Sequence, residues 1–439
     1  MKSATAETTI KMQEASLDKL AIFGAAPAFA EQLHVGRPNV GDRARLLERF
    51  NKILDSKWLS NMGPCEREFE QRVAEMLGVK HCVAMCNATV ALEIAIRALG
   101  LTGEVIVPSF TFVATAHALQ WQQIVPVFCD VDPATHNIDP RRVEELITPR
   151  TTGIIGVHVW GRACDIDALG EIARRRKLSL LFDAAHAFAC SYQGQMIGGF
   201  GDAEVFSFHA TKFFNTFEGG AVTTNDDELA KKIRLMKNFG FAGYDQVVYI
   251  GTNGKMSEVS AAMGLTSLES LPDFIEANRR NYEQYRAELN DIEGLRLIAF
   301  DEAEKFNYQY VVAEIDEENT GLSRDDLVRV LHAENVIARR YFYPGCHRME
   351  PYRSYYPHAG LLLPRTEELV ERVLTLPTGT AVGPAQISTI CRIIRSAILH
   401  GPEVRARLAA GGTELTGSAN PLGGSTGVGL PVPGQDKNR

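Results

Sequence analysis

Lys212 closes the run Phe206-Ser207-Phe208-His209-Ala210-Thr211-Lys212, with Glu218-Gly219-Gly220-Ala221-Val222 just behind it and Phe182-Asp183-Ala184-Ala185-His186 upstream. A lysine at the end of a short apolar strand is stripped of water, so its pKa falls and the neutral amine can attack a carbonyl to form a Schiff base. Asp183 directly follows Leu178-Ser179-Leu180-Leu181-Phe182, which puts a carboxylate at the mouth of a sheet. A pyridinium nitrogen requires such a partner, so the two residues together point to pyridoxal phosphate chemistry.

Other groups gain meaning from this pair. Asn87-Ala88-Thr89 stands where a strand gives way to a helix, and free N–H groups there would cradle a phosphate, with the Thr89 hydroxyl added. An ordinary helix cap explains the same residues. Ser207, five residues before Lys212, could supply a further phosphate hydroxyl. His186 could lie against a cofactor ring or be a satisfied core histidine. Phe112, in Pro108-Ser109-Phe110-Thr111-Phe112, could stack on the other ring face, and core packing explains it equally well.

The elements that must position these groups run from about residue 80 to 225. Candidate strands are Cys82–Cys86, Glu104–Pro108, Val125–Val131, Gly153–Trp160, Leu178–Asp183, Ala203–Phe208 and Gly220–Thr224. Between them lie helical patterns, such as Thr89–Leu99 with apolar Ala91, Leu92, Ile94 and Ala95, and Asp165–Lys177 with acidic residues early and a basic run late. Near-continuous apolar strands separated by helices predict an α/β fold with a mostly parallel sheet covered on both faces. Sites in such sheets lie beyond the carboxyl ends of the strands.

The chain of 439 residues, 45% hydrophobic, is long enough for a large domain with a smaller one attached. We expect a large cofactor-binding domain over 16–270, a smaller α+β domain over 271–400, a flexible N-terminus over 1–15 and a disordered Gly/Pro/Ser/Thr-rich tail over 411–439. A long helix is expected past Met263, including the mixed-charge stretch Ala277–Asn290. A formal net charge of -8 gives no reason to expect binding to nucleic acid or an anionic membrane. The cysteines lack the close pairing of a zinc or redox motif, so no metal is expected, and reduced buried thiols fit a cytoplasmic protein. No apolar run approaches a membrane span.

At this level of detail the chain resembles the DegT/DnrJ/EryC1/StrS family, the sugar aminotransferases of fold type I. The likeness runs from about Trp58 through Leu265 and resumes near Arg339. It rests on Trp58-Leu59-Ser60-Asn61-Met62-Gly63-Pro64, Val105-Ile106-Val107-Pro108-Ser109-Phe110-Thr111-Phe112-Val113-Ala114-Thr115, Asp183-Ala184-Ala185-His186, the Lys212 block and Asn253-Gly254-Lys255-Met256-Ser257-Glu258. The resemblance implies pyridoxal phosphate as cofactor, with Lys212 as the Schiff-base lysine, Asp183 on the ring nitrogen, His186 against the ring and Phe112 on its opposite face. Ala88, Thr89 and Ser207 match positions that hold the phosphate. Asn253 matches an asparagine that reaches the phosphate from the neighbouring subunit, which implies a homodimer with shared active sites. The family often has glycine where Ala88 stands, and Tyr-Arg where this chain has Gly254-Lys255.

The resemblance also implies a reaction. Some relatives carry histidine at the Lys212 position and eliminate water instead, so the lysine argues for transamination. L-Glutamate is the implied donor. The implied acceptor is a nucleotide-linked keto sugar, dTDP-4-keto-6-deoxy-D-glucose, giving dTDP-4-amino-4,6-dideoxy-D-glucose. For the substrate, Ser60 and Asn61, Lys255, and the block Arg339-Arg340-Tyr341-Phe342-Tyr343 are candidates, with Arg339, Tyr341 and Tyr343 facing a diphosphate and a base or sugar ring. Exposed ion pairs and packing between domains explain that block equally well. Amination at the 3-position, a cofactor-dependent sugar dehydratase and a non-catalytic cofactor-binding regulator are the alternatives.

Overall fold

A computed structural model describes residues 17–410. The expected flexible N-terminus and disordered tail therefore lie outside the described residues. The centre of the molecule is a seven-stranded sheet. Its strands in chain order are β1 (His81–Met85), β2 (Glu104–Pro108), β3 (Val125–Cys129), β4 (Thr151–Val157), β5 (Ser179–Asp183), β6 (Ala203–Ser207) and β7 (Gly220–Thr224).

In space the order is β1-β7-β6-β5-β4-β2-β3, and only β7 runs against its neighbours. The carboxyl ends of β1, β2, β4, β5 and β6 and the amino end of β7 consequently share one edge of the sheet. Successive side chains along each strand face opposite ways. Val105 and Val107 of β2 join Leu181, Val205 and Val222 under one helical layer, while Ile106, Leu180 and Phe182 pack beneath the other. Burial on both faces accounts for the unbroken apolar runs.

Helices follow the strands with caps written into the sequence: α1 (Pro64–Leu77), α2 (Ala88–Ala98), α3 (Ala114–Gln120), α4 (Ile166–Arg176), α5 (Glu258–Glu269) and α6 (Leu271–Leu289). The Asn87 side chain accepts from Val90 N–H at 2.8 Å to start α2, whose Ala91, Leu92 and Ala95 are buried. Asp165 caps α4 in the same way, and α4 ends on three arginines before Lys177 turns left-handed. Both caps satisfy N–H groups that a helix start leaves open. The long helix expected past Met263 is α6, divided from α5 at Ser270.

A second core forms around the antiparallel strands β8 (Leu295–Leu297), β9 (Val311–Ile315) and β10 (Val373–Leu376). Tyr282, Tyr285 and Leu289 of α6 pack there with Leu327 and Leu331 of α7 (Arg324–Ala333) and Ile387, Ile390 and Ile394 of α8 (Pro384–Leu399). Leu17, Leu20 and Leu33 also pack there, and Leu33–His34 pairs in parallel with Val336–Ile337. The large domain expected over 16–270 includes Leu17, Leu20 and Leu33, which pack with elements beyond residue 271. The segment is too short and aperiodic to reveal its partner.

A smaller apolar group bridges the two cores, with Phe110 and Trp160 from the sheet edge meeting Tyr310, Val312 and Phe342. No helix among the described residues is long and apolar enough to cross a membrane, and no group of three or more metal-ligating side chains is assembled there. All eight cysteines are free thiols.

Candidate functional site

Asp183 is the last residue of β5, Ser207 the last of β6, and Lys212 follows five positions later on the turn that leads back to β7. The sheet register therefore brings the expected groups to one edge. Gly220, the first residue of β7, pairs with Ser207 on one side and with Met85 on the other. A β-carbon on Gly220 would lie 2.6 Å from the Ala88 nitrogen. The start of α2 thus lies directly against β7, and Ala88, Thr89 and Ser207 come together around a strand residue that must be small. The first-turn N–H groups of Ala88 and Thr89 lie above the cap bond from Asn87 and are open to an anion.

Asp183 is buried, and its carboxylate is held from two sides. Thr115 Oγ1 donates to Oδ2 at 2.9 Å, and the Ala185 N–H donates to Oδ1 at 3.1 Å. Burial pushes the Asp183 carboxyl above its ordinary value, while both donors and the Lys212 amine pull it back. For Lys212, desolvation pushes the amine down to about 8 against the opposing pull of Asp183. The neutral share near neutral pH is far larger than for an ordinary lysine, which makes it a competent nucleophile and proton carrier.

His186 is buried beside this pair. Its ring lies within 19° of the Trp160 plane and 11° of the Phe342 plane, and its Nδ1 accepts from the Trp160 N–H at 3.3 Å. Burial holds the imidazole well below its usual range, so it is neutral. Phe112 stands 58% exposed at the head of the turn into α3, with its carbonyl accepting from the Thr115 backbone N–H at 3.2 Å. An open ring face is thus presented at the mouth.

The other candidates fall into distinct neighbourhoods. Ser60 and Asn61 lie on the loop before α1, where Asn61 and Met62 adopt left-handed backbone at φ 64° and 57°. Glu66 and Glu258 pin that loop through Met62 N–H and the first turn of α1. Asn253 is exposed and accepts from Lys255 Nζ at 2.7 Å, and Gly254 O accepts from the Cys86 N–H at 2.8 Å. Tyr341 lies edge-on to Tyr310 at 6.2 Å, with the Arg339 guanidinium 5.2 Å from the Tyr341 ring. Tyr343 is placed elsewhere, between the guanidinium groups of Arg324 and Arg340, the latter paired with Asp325 at 3.0 Å.

Three further residues at this edge escaped the sequence reading. Thr115 falls inside the quoted stretch ending at that residue but was given no role. Gly220 lay in a recognised glycine pair without an assigned neighbour. Tyr310, whose hydroxyl is 3.5 Å from Lys212 Nζ, lies 98 positions further along the chain, in the gap between the two matching regions.

Known proteins share this architecture. A dTDP-4-amino-4,6-dideoxy-D-glucose transaminase of Shigella dysenteriae is 39% identical over 83% of this chain and 98% of that one. A GDP-perosamine synthase of Caulobacter vibrioides is 38% identical over 69% of this chain and 82% of its own length. The crystal structure of DesI with its TDP-sugar product is 53% identical, covers 90% of this chain and 100% of that one, and superposes with a TM-score of 0.86. Fold and likenesses together define a pyridoxal-phosphate-dependent aminotransferase of fold type I. The chain belongs to the DegT/DnrJ/EryC1/StrS aminotransferase family, whose model matches residues 41–395.

Proposed function

We propose that this chain moves an amino group from L-glutamate to C4 of a nucleotide-linked 4-keto-6-deoxy sugar, dTDP-4-keto-6-deoxy-D-glucose, giving dTDP-4-amino-4,6-dideoxy-D-glucose. The observation that carries the reading is the desolvated Lys212 amine beside the buried Asp183 carboxylate, which Thr115 and Ala185 hold. Support for the 4-position comes from the likeness to the Shigella dysenteriae transaminase and to a second transaminase of that name in Escherichia coli, and the likeness to DesI, solved with its TDP-sugar product, supports a thymidine-linked sugar.

The residues fit pyridoxal phosphate. Asp183 offers a carboxylate to a ring N–H, the Ala88 and Thr89 amides and Ser207 offer donors to a phosphate, and Gly220 keeps a β-carbon out of that cradle. When bound, the cofactor supplies an electron sink for the carbon being deprotonated. Lys212 Nζ would hold the cofactor until the donor's amine displaces it; the freed amine would then take the proton from the donor's α-carbon and, in the second half-reaction, move a proton in the opposite sense. Asp183 would keep the ring nitrogen protonated, with His186 against one ring face and Phe112 on the other.

In this reading Asn253 of the partner subunit reaches the phosphate, so the enzyme is a homodimer with shared active sites, working in the cytoplasm. Ser60, Asn61, Lys255, Arg339, Tyr341 and Tyr343 bind the sugar nucleotide.

Incubation with glutamate and dTDP-4-keto-6-deoxy-D-glucose tests the proposal. One 2-oxoglutarate should form per amino sugar, with nitrogen on C4 by NMR. Turnover only with the 3-keto isomer supplied in parallel, loss of a hydroxyl without 2-oxoglutarate, or bound cofactor without turnover on either ketone would each replace it with one of the alternatives.

A further inference from the structure

The Tyr310 ring reaches the catalytic edge from the residue just before β9 and lies in the apolar group that bridges the two cores. It packs edge-on to Trp160 at 5.4 Å and lies 4.8 Å from the His186 ring, and Lys212 Nζ is 5.9 Å from its centroid. Its hydroxyl meets two polar atoms among the described residues: His186 Nε2 at 3.4 Å and Lys212 Nζ at 3.5 Å.

The direction of these contacts follows from hydrogen-bond capacity. His186 Nδ1 accepts the Trp160 N–H, so in the neutral ring the proton sits on Nε2 and is donated to the Tyr310 oxygen. A charged Lys212 can only donate to the Tyr310 oxygen; among the described residues the hydroxyl hydrogen finds an acceptor in Lys212 Nζ, 3.5 Å away, only when the amine is neutral and has a lone pair. An ammonium at Lys212 would leave a buried O–H without an acceptor, which disfavours the charged form.

We propose that Tyr310 is a positioning residue: its hydroxyl, oriented by His186, donates to the unbonded Lys212 amine whenever that amine is neutral, favouring the neutral form and aiming it within the cleft. The inference rests on the reading of Lys212 as the lysine that bonds the cofactor and moves the proton. Groups facing the amine are Asp183 from β5, His186 from the turn after it and Tyr310 from the segment before β9, with Arg339 and Tyr341 beyond Tyr310.

The test uses the full-length protein freed of cofactor, labelled by brief pulses of an amine-reactive reagent across a pH series and read at the Lys212 peptide by mass spectrometry. Tyr310→Phe keeps the ring contacts and removes the hydroxyl, so the midpoint for Lys212 should rise by about one pH unit. Replacing Tyr310 by 3-fluorotyrosine keeps the fold and strengthens the donor, so the midpoint should fall. A purely structural role for the ring moves neither, and unmoved midpoints in both overturn the proposal. If Tyr310→Phe does not fold, the fluorotyrosine protein alone decides. Borohydride reduction of the wild-type holoenzyme separates the two readings. An adduct on another lysine overturns the role of Lys212 itself, whereas an adduct on Lys212 with unmoved midpoints overturns only the role of Tyr310.

Discussion

Thr115 Oγ1 lies 2.9 Å from Asp183 Oδ2, and both residues are buried. One hydroxyl from the start of α3 therefore opposes the burial that drives the Asp183 carboxyl toward protonation. Thr115→Val removes the donor at nearly constant volume and should weaken pyridoxal phosphate binding roughly 10-fold, the effect of about 1–2 kcal/mol for such a bond. Thr115→Ser should recover most of it. Equilibrium titration monitored by cofactor absorbance checks this, and wild-type affinity in the valine variant would refute the role.

The Asp183 charge itself is open to an isosteric test. Asp183→Asn keeps the shape and removes the anion, and turnover should fall on the order of 100-fold or more, as when a preorganised electrostatic partner is lost. Steady-state assay with glutamate and the keto sugar measures the drop. Activity within a few-fold of wild type would show that the ring nitrogen has no need of this carboxylate.

Lys212 makes the cofactor-free protein pH-sensitive in a defined direction. Its pKa falls from 10.5 to about 8 on folding, so between those values the unfolded chain binds the extra proton and stability rises with pH. Below about 8 the folded protein carries a buried ammonium at a cost. Lys212→Met should therefore stabilise the cofactor-free form at pH 7 by ~1–3 kcal/mol, with the advantage shrinking as pH approaches 10. Urea unfolding of both proteins at the two pH values provides the comparison, and a constant difference between them would contradict the assignment.

Gly220 admits no β-carbon without moving backbone, since that atom would meet Ala88 N at 2.6 Å and the Asn87 carbonyl carbon at 2.7 Å. Gly220→Ala should cost ~1–3 kcal/mol of stability. It should also reduce the rise in melting temperature that pyridoxal phosphate produces, because the displaced turn carries the phosphate donors. An unaltered ligand-induced rise would remove the turn from the phosphate site.

Two adjacent arginines separate substrate recognition from scaffolding. Arg340 is paired with Asp325, whereas Arg339 stacks on Tyr341 beside Tyr310. Arg339→Ala should raise KM for the sugar nucleotide about 10-fold, the scale of one charged contact, and Arg340→Ala should leave it nearly unchanged. Equal effects from both would place the substrate elsewhere.

The legible part of this protein is its local part. All the expected sheet strands form, with small shifts at their ends. The strand from Val125 stops at Cys129 because Asp130 turns to accept the N–H groups of Arg365 and Thr366, and the strand through Val157 breaks before Trp160, whose backbone is left-handed at φ 63°. Neither distant partner can be read from periodicity. Lys212, Asp183, His186 and Ser207 stood out because each closes or follows an apolar run. Thr115 and Tyr310 act through contacts with residues 68 and 98 positions away, which no local pattern encodes.

Leu17, Leu20 and Leu33 share a core with α6, α7 and α8. The central sheet is complete at Thr224, whereas those leucines close their core only against helices that run on to Leu399. The second core therefore rests on contacts between distant parts of the sequence and should be the slower of the two to form.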